Sequence, residues 1–403
     1  MSLQSDLLII GAGPAGSATA IRAARAGLRV TMVDRTRFPR DKPCSEYMSP
    51  ETLKHLAALG VLETLEGAGG NALAGTTVIG PHGSRLTGLF ARAGHQPFRP
   101  TGLSLPRRIL DHHLVEAARQ TSATVLEEHA IEDLLYDRGA VAGAVVRDAS
   151  GAMRVLRARL TVGADGLRSV VARRLGVRQH GHPHRLAFVA HLTDVPGLSD
   201  RAEMHVGPAG YVGLNPLGEG ITNVALVVPQ ALAEGARGQA ERFFLTTLES
   251  YPGIRGRIDG RRIVRRVLVT GPFAARSRRV VVDGALLVGD AADFFDPFTG
   301  EGICSALRGA DLAVVTALEA LDRPGSVTAD RLRSYARARR AVFGGKWAVE
   351  RLIGYGMYLP ALFDRAIGRL ERRGWSHTLI GVTGDFVPAR EVLNPRFLAG
   401  MIW

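Results

Sequence analysis

Cysteine is nearly absent from this chain: Cys44 and Cys304 are the only two in 403 residues. Two thiols build no disulfide framework, so each is either a small buried apolar residue or a site thiol, and a reducing compartment is expected. Long apolar runs are missing too. The stretch Leu352 to Phe363 carries Pro360 and two glycines, and at about twelve residues it falls short of the ~20 a bilayer span needs. No charged segment precedes the apolar Leu7-Leu8-Ile9-Ile10, so no secretory leader is expected; the location read from this is cytoplasmic, with peripheral membrane contact allowed. Aromatic residues make up 6% of the chain, and Trp347, Trp375 and Trp403 stand alone. With no stacking series and no recognition-helix motif, nucleic acid is not an expected partner despite the net charge of +13. Histidines such as His55, His82, His191 and His205 show no ligand spacing, so no metal is expected and no role is assigned to them.

What is present is an ordinary globular composition, 46% hydrophobic, in a chain longer than one core usually organises. The positive charge is uneven. Residues 331–403 hold 13 Lys or Arg against 5 Asp or Glu, a segment suited to a solvated helix face, an anionic lipid or an anionic cofactor. At the other end, DLLIIGAGPAGSATAIRAARAGLRVTMVD reads as strand, glycine turn, Ala-rich helix and strand, a βαβ unit. Helices are predicted over 50–66, with Ser49 as N-cap and Pro50 at the first helical position, over 106–120, and in LRSVVARRLG. From about 185 to 270 β-rich runs follow one another with one helix near 237–250, a sheet without βα alternation. The nucleotide-type pattern resumes at RVVVDGALLVGDAADFF. After 327 the chain reads as helical to about 373, with a shorter helix near 391–401.

Gly11, Gly13, Pro14, Ala15 and Gly16 complete a G-x-G-x-x-G turn between strand and helix, and Asp34, followed by Arg35, ends the second strand 18 residues after Gly16. Glycines there permit the turn and close backbone approach to a diphosphate, the helix N-terminus favours negative charge, and Asp34 is placed to accept from a ribose hydroxyl. Two further segments follow strands: Val162-Gly163-Ala164-Asp165-Gly166, and Leu287-Val288-Gly289-Asp290 with Pro297, Gly300, Gly302 and Ile303 leading into a helix. FAD is long, so one Rossmann turn holds only its diphosphate; Asp290 suits a second anchor at the ribityl chain. A helix starting near Gly300 would aim its positive end at the flavin.

These three segments, in this order, resemble the flavoprotein monooxygenase and geranylgeranyl reductase superfamily, which binds FAD through a GxGxxG, a DG and a GD motif. The resemblance covers residues 6–330 and implies that Asp165 and Arg107, the latter in R-x-x-L-D spacing to Asp111, serve the cofactor. FPRDKPCSEYMSP, around Cys44, and DPFTGEGI are similar to the geranylgeranyl reductase-like branch of the superfamily, which includes the para-hydroxybenzoate hydroxylase-like enzymes. Two departures stand out. Ser45 replaces the branch's glycine, and its Y-x-W-x-F-P pocket pattern reads Tyr211-Val212-Gly213-Leu214-Asn215-Pro216. Losing two rings opens space, and Asn215 adds a polar group that wants a partner. The halogenase segment W-x-W-x-I-P is missing.

The fold implied is α/β: a GR2-like, Rossmann-type FAD-binding domain from 1-75, 100-178 and 271-330, an inserted β-sheet substrate-binding domain from 76-99 and 179-270, and a C-terminal helical basic segment over 331-403. FAD is the expected cofactor and NAD(P)H a transient reductant. The altered pocket, with Tyr211, Gly213 and Asn215 as substrate contacts, favours a monooxygenase that hydroxylates a lipophilic phenolic, quinoid or polyketide-type molecule with O2 through a flavin C4a-hydroperoxide. The cysteine segment favours a reductase of isoprenoid or other C=C bonds, with Cys44 or water as the acid. A basic flavoprotein that only binds membrane or nucleic acid is the third class, and its mark is salt-dependent binding without turnover.

Overall fold

A computed structural model describes residues 3–402 of the chain. The opening βαβ unit forms as the pattern requires. Strand Leu3–Ile10 lies between Val30–Val33 and Met153–Gly163, parallel to both, and Met153–Gly163 is in turn parallel to Ala285–Leu287. Every residue of Val30–Val33 is buried, as expected of a parallel strand covered on both faces. Helix Pro14–Arg25 covers one face and packs against the long helix Gly302–Leu321, so the two glycine turns converge at one end of the sheet. The hairpin Ala130–Asp137 and Ala140–Arg147 adds antiparallel strands to the same sheet.

A second sheet has seven strands, in the order Ile263–Thr270, Arg185–Thr193, Ile221–Pro229, Gly210–Gly218, Arg201–Gly207, Gly75–Ile79 and Arg85–Leu89. Its pairs are antiparallel except for Arg201–Gly207 beside Gly75–Ile79. One face carries Phe188, Leu226 and Leu214 against Phe244 and Leu248 of helix Ala240–Leu248. The other face turns toward the first sheet.

The predicted 50–66 helix is two, Pro50–Ala58 and Leu62–Gly67, with Ser49 Oγ accepting from Thr52 N at the first. LRSVVARRLG yields only the short helix Val170–Arg174, because Asp165 and Ser169 cap it late and Gly176 ends it at positive φ. The basic segment is helical over Arg333–Gly356 and Pro360–Arg372, broken where Pro360 starts a new helix. Ser376–Thr383, unread in the sequence, is a helix too; its Gly381 and Thr383 weaken the pattern, and burial of Ile380 and Val382 supplies the order. Among the described residues no helix is long and apolar enough to cross a membrane.

Candidate active site

A cavity of about 1300 Å³ opens between the two sheets. The first glycine turn contributes Gly13, Pro14 and Ala15 to its wall. Gly16 lies behind it: a Cβ there would stand 1.8 Å from the Gly11 carbonyl oxygen, so only glycine lets the turn close. Gly11 is likewise behind the wall. Asp34 holds the turn from beneath, one carboxylate oxygen accepting from Ala12 N (2.8 Å) and the other from Thr36 N (2.9 Å) and Oγ1 (2.7 Å). Arg35 is exposed and makes no hydrogen bond or ion pair among the described residues.

Three cations gather beside this turn. Arg107 grips Asp111 with both arms at 2.7 Å, and Arg40 reaches the same carboxylate at 3.2 Å. Burial works against the charge of Arg107, but Asp111 and Cys44 together hold it above its ordinary pKa. Lys42 is different. It lines the cavity 3.6 Å from where a Cβ on Gly166 would stand, and it has no hydrogen-bond or ion-pair partner among the described residues. Burial, with the neighbouring Arg107, lowers its pKa. An unpaired half-buried ammonium at a glycine turn wants an anion, and a diphosphate supplies one.

Asp290 lines the same cavity, and its carboxylate has no hydrogen-bond or ion-pair partner among the described residues. Its pKa is raised by burial, with Lys42, Arg107 and Arg178 pulling the other way. Asp165 lies outside the wall and serves the fold: it accepts from Ser169 Oγ (2.6 Å), Val170 N (2.6 Å) and Val171 N (3.1 Å) at the head of the short helix. Gly289, Pro297, Gly300, Gly302 and Ile303 continue the wall. Gly300 takes φ +73°, and a Cβ there would meet Tyr47 at 2.8 Å. The 20-residue helix Gly302–Leu321 therefore opens directly on the cavity with its positive end. The unpaired Lys42, the glycine turns and this helix end together fit a flavin dinucleotide.

Glu301, at the N-cap of that helix, is a buried acid that sequence reasoning missed. Ser49 Oγ donates to its Oε2 at 3.1 Å, while Oε1 is buried without a partner. Burial pushes its pKa up to about 8, with Lys346 opposing.

The substrate-side expectations separate. Tyr211 and Gly213 line the cavity, and around them the sheet presents Ala187, Val189, Ala225 and Val227. The Tyr211 hydroxyl is not free; it donates to Asp296 at 2.6 Å, and Arg185 holds the other oxygen of Asp296 at 2.7 Å. Asn215 does not line the cavity, contrary to its expected role as a substrate contact. It shares a face with Gly213, but the cysteine loop lies over it, and its amide donates to Ser45 O at 3.0 Å. Its register neighbour Asn223 donates to Cys44 O at 2.6 Å.

Cys44 lines the cavity and accepts from Glu46 N at 3.4 Å. Glu46 explains why the loop stays there. It is 1% exposed at φ +59°, and its carboxylate accepts from Arg107 N (2.9 Å) and Arg265 (3.3 Å) and meets His191 Nε2 at 2.5 Å. Arg265, His191, Asn223 and Asn215 stand in one row across four neighbouring strands. This row docks the second sheet onto the cysteine loop. His191, given no role in the sequence, is a buried hydrogen-bond partner of Glu46 here. The only signal was a polar or charged residue inside each of four β-rich runs, and no strand alone reveals that they align.

The family described as FAD binding domain matches residues 4–350. Digeranylgeranylglycerophospholipid reductase 1 of Methanococcoides burtonii is 29% identical over 356 residues, covering 86% of this chain and 82% of the relative. Menaquinone reductase of Mycolicibacterium smegmatis is 30% identical over 335 residues, covering 78% and 76%. Among solved structures, a myxobacterial chondrochloren halogenase, an FAD-dependent enzyme, superposes with a TM-score of 0.79 at 24% identity, covering 87% and 82%, a likeness of fold.

Proposed function

This chain belongs to the FAD-binding-domain family and is an FAD-dependent oxidoreductase, and from that premise we propose that it reduces a C=C bond in a lipophilic, prenyl-type substrate. The observation that carries this reading is the placement of Asn215. Its amide is committed to the Ser45 carbonyl, and the sheet wall beside Cys44 is left to Ala187, Val189, Ala225 and Val227. Those four side chains suit a hydrocarbon chain. The relatives named as reductases of a geranylgeranyl glycerophospholipid and of menaquinone support the same class.

When bound, FAD reduced by NAD(P)H supplies a hydride. The chain's own residues do the rest. Lys42, Arg40 and Arg107 neutralise the diphosphate, Asp290 anchors the polar chain beyond it, and the helix end at Gly302 stabilises negative charge at the ring. The apolar strands exclude water and hold the alkene. Saturation needs one proton besides the hydride, placed on the neighbouring carbon, and Cys44 Sγ on the cavity wall is the group positioned to give it, with resupply from solvent.

A hydroxylase is the second reading, favoured by Gly213, where a Cβ would have only Met204 Sδ within reach, at 3.2 Å, leaving room for a bulkier molecule. Mixing the reduced enzyme with oxygen in the presence and absence of candidate lipids tests the choice. The reductase reading expects reoxidation at the same rate with and without lipid; acceleration by lipid together with an oxygenated product would overturn it.

A further inference from the structure

An apolar elbow protrudes where helices Arg333–Gly356 and Pro360–Arg372 meet. Leu352, Tyr355, Tyr358, Leu359 and Leu362 are 41%, 49%, 53%, 57% and 37% exposed. The other exposed large apolar side chains among the described residues, from Phe98 to Ile402, occur singly or in pairs. The elbow is built rather than loose. Leu359 N donates to Gly356 O at 2.9 Å, Pro360 starts the next helix, and Gly354 lets Phe295 pack so closely that a Cβ would meet its ring at 2.7 Å. Phe295 belongs to the loop between Asp290 and Gly300, so the elbow is fastened to the rim of the cavity. Arg351 and Tyr355 line the mouth of that cavity, and Tyr355 and Tyr358 line a smaller cleft of about 520 Å³ beside His182 and His184.

Exposed charge on the two helices that form the elbow is mostly positive, and Arg351 and Arg365 lie nearest the leucines. On the two helices Arg333, Arg337, Arg340, Arg351, Arg365 and Arg372 are exposed, and Glu371 is the one exposed carboxylate. Leucines flanked by tyrosines and arginines match the layers of a bilayer surface: aliphatic tips at the acyl boundary, phenol rings among the head groups, guanidinium groups on lipid phosphates. A second copy of the chain would bring arginine onto arginine across a two-fold contact, and a nucleic acid would leave the leucines uncovered.

We propose that this elbow is the surface by which the protein docks on an anionic lipid bilayer. Docked there, the cavity mouth faces the membrane, and a lipid substrate reaches it without crossing water; that second statement rests on the proposed function, whereas the docking does not.

Flotation of the FAD-loaded full chain with vesicles tests it. The protein is expected to float with phosphatidylcholine vesicles containing phosphatidylglycerol, to float poorly with phosphatidylcholine alone, and to be released by salt. Leu359→Ser with Leu362→Ser, and separately Arg351→Glu with Arg365→Glu, each lower partitioning about tenfold or more. Flavin content and melting temperature monitor the fold, and the arginine pair carries the test if the serine pair does not fold. Absence of flotation, equal flotation on both vesicles, or wild-type flotation by both folded variants would overturn the proposal. So would a dimer that the serine variant dissociates in a protein that binds no vesicle. Flotation needs no turnover, so its failure leaves the reductase reading standing, and failure of that reading leaves the docking standing.

Discussion

Lys42, one of three lysines in the chain, shows how a single side chain carries the cofactor assignment. A half-buried ammonium without a partner costs stability, and only an anion at the glycine turn offsets it. Lys42→Met is therefore expected to weaken FAD retention about tenfold or more while leaving the melting temperature of the flavin-free protein unchanged or raised, since a charged hydrogen bond is worth ~1.5–3 kcal/mol. Equilibrium dialysis and thermal melts read both. Asp290→Ala is expected to lose FAD with the fold preserved, and wild-type flavin occupancy would refute the anchor role. For Cys44→Ser the expectation is retained flavin and turnover lower by about a hundredfold or more, the usual weight of a positioned acid. Unchanged turnover would leave the thiol as packing. The glycine turns, Asp290 and the cysteine were legible in the sequence because each sits in a local strand-turn-helix word. Lys42 was in view between Asp41 and Pro43, but its lack of a partner is visible only once Gly166 arrives beside it.

At the scale of elements, two joints hold the cavity. One is the polar row that locks the cysteine loop. Asn223→Leu removes the donor to Cys44 O and leaves that carbonyl bare, and it is expected to cost ~1–3 kcal/mol in thermal unfolding. Adding Asn215→Leu should cost less than its own single effect, because both ties restrain one loop. The other joint is the helix start at Glu301. The native carboxyl keeps its proton up to about 8, whereas an ordinary glutamate releases it near 4.5. Between those values the native state binds the extra proton, so this group makes stability fall as pH rises through the window. Glu301→Gln is expected to flatten that fall in a series of thermal melts; an unchanged slope would place the acid elsewhere. Neither joint was readable from the chain. Glu46 and His191 lie 145 residues apart, and periodicity speaks only for neighbours within one element.

For the molecule as a whole, the order of the three glycine segments pointed to the family, and the β-rich middle pointed to a second sheet. What the sequence misdirected was the pocket. Gly213 and Asn215 read as a paired opening for a polar substrate, but the cysteine loop covers Asn215, and of the two only Gly213 lines the cavity. The docking of the second sheet on the cysteine loop is what the proposed reductase reading rests on. Anaerobic incubation of the FAD-loaded protein with excess NAD(P)H and a prenyl lipid, followed by mass spectrometry of the lipid, tests this most directly. The account predicts a product that has gained a pair of hydrogens without oxygen present. An unchanged lipid under those conditions, with an oxygen atom gained in air, would contradict it.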